Sequence, residues 1–382
     1  MLVRYTKSAD GKPVKQAEVY TKEEHGLKIE SIDPDALFIT RKLRAAGFEA
    51  YIVGGAVRDI LLGRKPKDFD VATDAHPRAI KKILPFSRII GKRFRLVHVY
   101  FAGNKIIEVA TFRSDVEGDT NVFGTLEEDA KRRDFSCNAL FYDPKEQYIV
   151  DQVGGMRDMK AKRLRNVIPL DHIFDDDPVR MIRAAKYATT SGFSVPWNIT
   201  AKIKQKAPLL GAISPARLTE EFYKILHSGK SKAIFTTMAK LKVLDAFIPK
   251  LGKELSKPLF NPLAKTLQAG LALLDAELAE GKDPDRATSL TFLVAPLLES
   301  QGWAAKATQE DFEPLLAQLK DWFKPIIPSN QELENALRSL FRVWAVRTPR
   351  KRPPRPRRRR PGGGNSDGRE GGRPPKADPK PM

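Results

Sequence analysis

A single cysteine, Cys137, in 382 residues excludes an intramolecular disulfide, and five scattered histidines with no Cys/His cluster exclude a structural zinc site. Cysteine usage of this kind suits a reducing compartment, so a cytoplasmic location is expected. No stretch approaches the ~18 uninterrupted apolar residues of a membrane-spanning helix. The opening MLVRYTKSADGKPVKQ also lacks the apolar core of a signal peptide. Acidic residues are in deficit, with 47 Asp and Glu against 67 Lys and Arg, a net charge of +20. Such an excess points to a polyanionic partner, either nucleic acid or an anionic membrane surface met from outside.

What is present is ample for folding. Hydrophobic residues make up 41% of the chain, enough for at least one large core, and the length suits two or three domains. Residues 1–30 are polar and aperiodic and read as a flexible leader. From Ser31 to about residue 160, helical and strand patterns alternate: SIDPDALFITRKLRAAGF as helix, EAYIV as strand, AVRDILLG as helix, DFDVAT as strand, HPRAIKKILP as helix, then two strands meeting at Gly103-Asn104. After Gly154-Gly155 the helical period dominates. Residues 161–230 read as a helical neck and 231–346 as a helical body. From Arg347 to Met382 thirteen Lys/Arg stand against three acids, with nine Pro and six Gly. That composition predicts a disordered tail.

Asp68 and Asp70, at i and i+2 of a predicted strand, share one face about 7 Å apart along the chain. A carboxylate pair of this kind suits Mg²⁺, and two ions about 4 Å apart would activate a hydroxyl and stabilise a leaving phosphate oxygen. Solvated acid pairs near turns share the pattern. The neighbourhood favours chemistry, because Gly54-Gly55 joins a strand to a helix where a phosphate can approach bare backbone N–H groups, and Arg58 follows one turn later. Glu108, on KIIEVAT, is either a further acid beside this strand or a solvated acid on an edge strand.

GGAVRD (54–59), DFD (68–70), RRDFSCNAL (132–140) and DDPVR (176–180), in this order, resemble the class II template-independent RNA nucleotidyltransferases, a family of bacterial poly(A) polymerases and tRNA CCA-adding enzymes. The resemblance implies an α/β polymerase-beta-type nucleotidyltransferase head followed by an all-helical neck and body. It implies Asp68 and Asp70 as catalytic metal ligands for two Mg²⁺, Gly54, Gly55 and Arg58 as the triphosphate site, Arg133 and Asp134 as nucleotide-binding residues, and Asp134 as a further catalytic candidate. ATP is the implied substrate and RNA 3′ ends the partner, with no membrane involved.

In DDDPVRMIRAAK, Asp177, Arg180, Arg183 and Lys186 recur every third residue, a spacing equally expected of a solvated helix face. The resemblance makes Asp177 and Arg180 the base readers. A carboxylate only accepts and a guanidinium only donates, so the pair matches the amine-plus-acceptor edge shared by adenine and cytosine and rejects guanine and uracil. Arg183 and Lys186 would meet phosphate or hold the readers. The family commonly has Glu where this chain has Asp176, one methylene shorter. GKRFRLVHV, at 91–99, is similar to a signature of the polyadenylating branch, and Lys92, Arg93 and Arg95 would place positive charge near the catalytic strands. His98 reads as a packed strand residue. Poly(A) addition in RNA processing and turnover is therefore expected, with CCA or A addition to tRNA as the alternative and an RNA-binding protein without chemistry as a third reading. The basic tail would contact the RNA backbone through counterion release.

Overall fold

The structure, a computed structural model, describes residues 2–7, 13–91, 96–114, 122–258 and 260–349. Lys92, Arg93 and Arg95 lie outside them, as does the tail beyond Pro349. Within the described residues, alternating apolar positions build nine strands: β1 (Leu2–Lys7), β2 (Pro13–Tyr20), β3 (Ala50–Val53), β4 (Asp70–Thr73), β5 (Ser87–Ile90), β6 (Leu96–Tyr100), β7 (Ile106–Thr111), β8 (Leu140–Asp143) and β9 (Tyr148–Asp151). They form one sheet in the order β1-β2-β9-β8-β3-β4-β7-β6-β5. Every pairing is antiparallel except β4 with β7, where Asp70 stands opposite Glu108.

Six helices accompany the strands: α1 (Lys22–His25), α2 (Pro34–Ala45), α3 (Gly55–Leu61), α4 (Pro77–Ile83), α5 (Leu126–Lys131) and α6 (Gly155–Lys160). The start of α2 follows from its sequence. Asp33 accepts a hydrogen bond from the Asp35 N–H at 2.9 Å, and Pro34 occupies the first turn, where its missing N–H costs nothing. Ile39 and Leu43 of α2 and Ile80 of α4 are buried in the same core as Ile52, Val71, Val97 and Val109 of the sheet. The opposite face buries Tyr51, Val53, Ala72 and Phe141 with Ala130 of α5.

The expectation of a flexible leader is overturned. Strand β2 pairs with β9 through Glu18–Asp151, Val19–Val150 and Tyr20–Ile149, and Ala17, Val19 and Tyr20 are buried. Once β9 offers a free edge, these few apolar residues gain both a ladder and a core, although their local pattern is too short to announce a strand.

The remaining chain is helical, with α7 (Ile173–Asp176), α8 (Val179–Ser191), α9 (Trp197–Lys206), α10 (Pro215–Leu226), α11 (Ser231–Lys240), α12 (Leu244–Phe247), α13 (Pro249–Leu255), α14 (Pro262–Ala279), α15 (Arg286–Glu299), α16 (Trp303–Lys306), α17 (Phe312–Phe323) and α18 (Asn330–Val343). Phe222 of α10 anchors this half. Its ring lies 6.2, 6.4 and 5.8 Å from those of Phe235, Phe247 and Phe323, so one residue ties α10 to α11, α12 and α17. One buried cluster runs from the sheet into these helices, and residues 1–348 form one compact unit. No helix among the described residues is long and apolar enough to cross a membrane.

Candidate active site

Strand β3 ends at Gly54, whose φ of 70° and ψ of −130° belong to a region that side chains scarcely enter. A β-carbon there would sit 3.6 Å from Arg133 Nη1 and 4.0 Å from Asp70 Oδ2. The glycine turn, Asp70 and Arg133 therefore converge. Sheet register explains this, because Val53 pairs with Asp70 and so sets the turn beside the carboxylate. Asp68 lies two residues ahead of β4, exposed and outside the strand, so the expected two-residue strand face exists only at Asp70.

Glu108 is not on an edge strand. Strand β7 lies between β4 and β6, which puts Glu108 beside Asp70 on one side and His98 on the other, with His98 Nε2 3.3 Å from Glu108 Oε1. Burial, then the Glu108 carboxylate and further Asp68, push the Asp70 carboxyl up to about 6, while Arg133 and Lys224 of α10 act in the opposite direction. Among the described residues no group of three His, Cys, Asp or Glu side chains is gathered to hold a metal alone. Mg²⁺ does not require one, since it is usually held by one or two carboxylates, with water and substrate phosphates completing its shell. Asp68 and Asp70 supply donors of that type.

Beneath the turn, Arg58 differs from its expected role at the triphosphate. It is 7% exposed, donates from Nη1 to Asn138 Oδ1 at 2.6 Å and from Nε to Asp59 Oδ1 at 3.1 Å, and stacks 4.8 Å from the centre of the Tyr187 ring. A guanidinium so engaged supports the turn from below. Arg133 is more open, donating from Nη2 to Asp129 Oδ2 at 2.8 Å and from Nη1 to the Asn138 carbonyl at 3.0 Å.

Asp134 is corrected as a catalytic candidate, because its carboxylate is taken up by protein groups. It is buried and accepts from Phe135 N–H (2.8 Å), Asn138 Nδ2 (3.2 Å) and Arg183 Nε (2.7 Å). Burial opposes its charge, yet Arg183 and these hydrogen bonds hold its carboxyl below the usual range. A saturated carboxylate of this kind positions its neighbours. The same loop is crowded at Gly155, where a β-carbon would lie 2.4 Å from the Ser136 carbonyl oxygen. Asp151 accepts the N–H groups of Gly154, Gly155 and Met156, fixing α6 against that loop.

The row of charges on DDDPVRMIRAAK is interrupted. Pro178 separates α7 from α8, and Asp177 takes an extended conformation between them, off the helix face. Its Oδ2 accepts from Arg217 Nη2 at 2.6 Å and its Oδ1 from the Val179 N–H at 3.1 Å. Arg180 donates from Nη1 to the Ile173 carbonyl at 3.0 Å and lies 3.7 Å from Asp176, which recovers at i,i+4 the contact that the shorter acid still reaches. Lys186 is not open to phosphate, because its Nζ is 3.1 Å from buried Glu221, which also takes Lys224 at 3.2 Å.

Sequence reasoning missed Asp129, Asn138, Tyr187, Arg217, Glu221 and Lys224. Asn138 stands inside RRDFSCNAL and Tyr187 lies one turn after Arg183, so both were within view. Asp129 lies four residues before Arg133 and was equally within view, whereas Arg217, Glu221 and Lys224 reach the site only through contacts between distant helices.

The family model described as "Poly A polymerase head domain" matches residues 50–165, and one described as "Probable RNA and SrmB- binding site of polymerase A" matches 192–255. The chain is 36% identical over 317 residues to poly(A) polymerase I of Escherichia coli O6:H1, covering 77% of this chain and 66% of that protein. It thus spans just under two thirds of that relative's length. It is 36% identical over 230 residues to the CCA-adding enzyme of Geobacillus stearothermophilus, covering 58% and 56%. The crystal structure of the Bacillus stearothermophilus CCA-adding enzyme in complex with CTP superposes with a TM-score of 0.56 at 29% identity, covering 82% of this chain and 83% of that one.

Proposed function

Because the chain belongs to the poly(A) polymerase and tRNA nucleotidyltransferase family, we propose that it adds AMP from ATP to RNA 3′ ends without a template. The observation that carries this reading is the convergence of Asp70, the Gly54 turn and Arg133, with Glu108 opposite Asp70 on the neighbouring strand. In the reaction an RNA 3′-hydroxyl attacks the α-phosphate in line and pyrophosphate leaves. Asp68 and Asp70 are the residues that would hold Mg²⁺, which when bound supplies the charge that activates the hydroxyl and stabilises the leaving oxygen.

The chain's own residues do the rest. Gly54 leaves room for a phosphate beside the carboxylates, Arg133 lends it positive charge, and buried Arg58 keeps the turn rigid. Asp177 and Arg180 read the base. Arg217 holds Asp177 through one oxygen, with carboxylate lone pairs left for an exocyclic amine, and Arg180 keeps Nε and Nη2 for a ring nitrogen. In this division residues 31–160, together with strands β1 and β2 of the same sheet, act as the catalytic head, 161–230 as the neck that reads the nucleotide, and 231–346 as the supporting body. In this reading the enzyme works in the cytoplasm, in RNA processing and turnover, and its basic tail adds affinity for RNA backbone.

CCA or A addition to tRNA is the second reading, favoured by the likeness to a CCA-adding enzyme over 82% of this chain and by a reading pair that treats adenine and cytosine alike. The test supplies ATP, CTP or both with a generic RNA and with a tRNA lacking its terminus. Long A-runs on both RNAs support poly(A) addition, and a stop after C-C-A on tRNA alone supports the second reading. No Mg²⁺-dependent incorporation with any primer would leave only RNA binding. Asp70→Ala is expected to abolish addition while RNA binding persists.

A further inference from the structure

Five side chains close a ring between the glycine turn and the base-reading helix. Arg58 Nη1 donates to Asn138 Oδ1 at 2.6 Å, Asn138 Nδ2 donates to Asp134 Oδ1 at 3.2 Å, and Arg183 Nε donates to Asp134 Oδ2 at 2.7 Å. The Tyr187 ring completes the circuit, with the Arg58 guanidinium 4.8 Å and that of Arg183 5.3 Å from its centre. Lys186 adds a third cation at 5.5 Å, and Phe135 meets the ring edge-on at 6.2 Å. The Tyr187 hydroxyl hydrogen-bonds to no described residue, so the ring itself is what the two guanidinium groups share.

The members come from three places. Arg58 lies on α3 directly after the glycine turn, Asp134 and Asn138 lie on the loop before β8, and Arg183 and Tyr187 lie on α8, one and two turns beyond Arg180. We infer that Tyr187 is a specificity-determining positioning residue, whose ring fixes the span between the triphosphate-binding turn and the base-reading end of α8. This rests on the nucleotidyltransferase reading of the same site.

The physical reason is geometric. A hydrogen-bonding pair rejects a wrong base only if the base is presented at a fixed height, and the triphosphate anchors the nucleotide at its other end. If α8 can shift relative to the turn, Asp177 and Arg180 can follow a mismatched edge, and the penalty for an unpaired polar group is relieved. A flat ring that two guanidinium groups share, at 4.8 and 5.3 Å from its centre, resists such shifts because both cations favour its π-system. An aliphatic side chain fills the volume without holding either.

The test measures ATP and GTP dissociation constants for the full-length protein with Mg²⁺, together with AMP and GMP addition to an RNA primer and the melting temperature. Tyr187→Phe keeps the ring and is expected to keep the wild-type preference for ATP. Tyr187→Leu, folded, is expected to lose that preference at least tenfold, mainly through tighter GTP binding. A folded Leu variant with the wild-type ratio overturns the inference, and so does a Phe variant as permissive as Leu. If Leu does not fold, Arg183→Lys breaks the ring at its next link while keeping the charge, and an unchanged ratio there overturns the inference equally. A wild-type protein that binds ATP selectively but adds no AMP would refute the catalytic reading, while the binding ratios still decide the role of Tyr187.

Discussion

Neutralising Asp70 should make the metal-free protein more stable while removing its activity. The carboxyl is raised from 3.8 to about 6, so the folded state favours the protonated form, and ionisation at neutral pH works against folding. A shift of that size has a ceiling of about 3 kcal/mol. At the start of β4 water still reaches Asp70, so both its desolvation and its repulsion from Glu108 are weakened. Discounted for that, the penalty is about 1 kcal/mol. Its sign fixes the pH window. The penalty is absent below about 4, where both states are protonated, grows as pH rises toward 6, and is complete above it. Asp70→Asn in EDTA is therefore expected to melt a few degrees above wild type at pH 8 and level with it at pH 4. Added Mg²⁺ should stabilise wild type and leave the variant unmoved. Thermal unfolding across this range is the assay. An Asn variant no more stable than wild type at pH 8, or a gap independent of pH, would refute the account of Asp70 as an acid whose ionised form the folded protein disfavours.

Gly155→Ala forces a β-carbon to within 2.4 Å of the Ser136 carbonyl and should cost about 1–3 kcal/mol in denaturant unfolding, with a loss of AMP addition as the Asp134–Asn138 loop moves. Arg217→Ala removes the exposed partner of Asp177 and should leave the melting temperature almost unchanged. It should raise KM for ATP and narrow the gap between ATP and GTP in steady-state kinetics. Deleting residues 350–382 removes twelve Lys and Arg, and should weaken RNA binding and flatten its dependence on salt in filter-binding titrations. Unchanged slopes would separate the tail from RNA contact.

The head was legible where short-range patterns decide structure. Asp33 and Pro34 announce α2, Gly103-Asn104 marks the β6–β7 connection at positive φ, and the spacing of Asp68 and Asp70 singled out the carboxylates. Pro178 carried a readable signal as well, since the residue before a proline is steered away from helix, yet the regular spacing of charges around it suggested continuity. Partners across long sequence distances were not legible. Asp134 finds Arg183 49 residues later and Asp177 finds Arg217 40 residues later, and each pairing turns a residue expected to be open into one already engaged. Burial of Arg58 has the same origin, because Tyr187 and Asn138 reach it only when helix and loop assemble.

The pairing of β2 with β9 has a consequence for how the protein is born. The first hairpin leaves the ribosome about 130 residues ahead of the strand that receives it, and until then its ladder groups and apolar residues have no permanent neighbour. Synthesis must pass Asp151 before the head can close, so slowing translation between β2 and β9 would prolong the interval in which nascent chains can stick to one another.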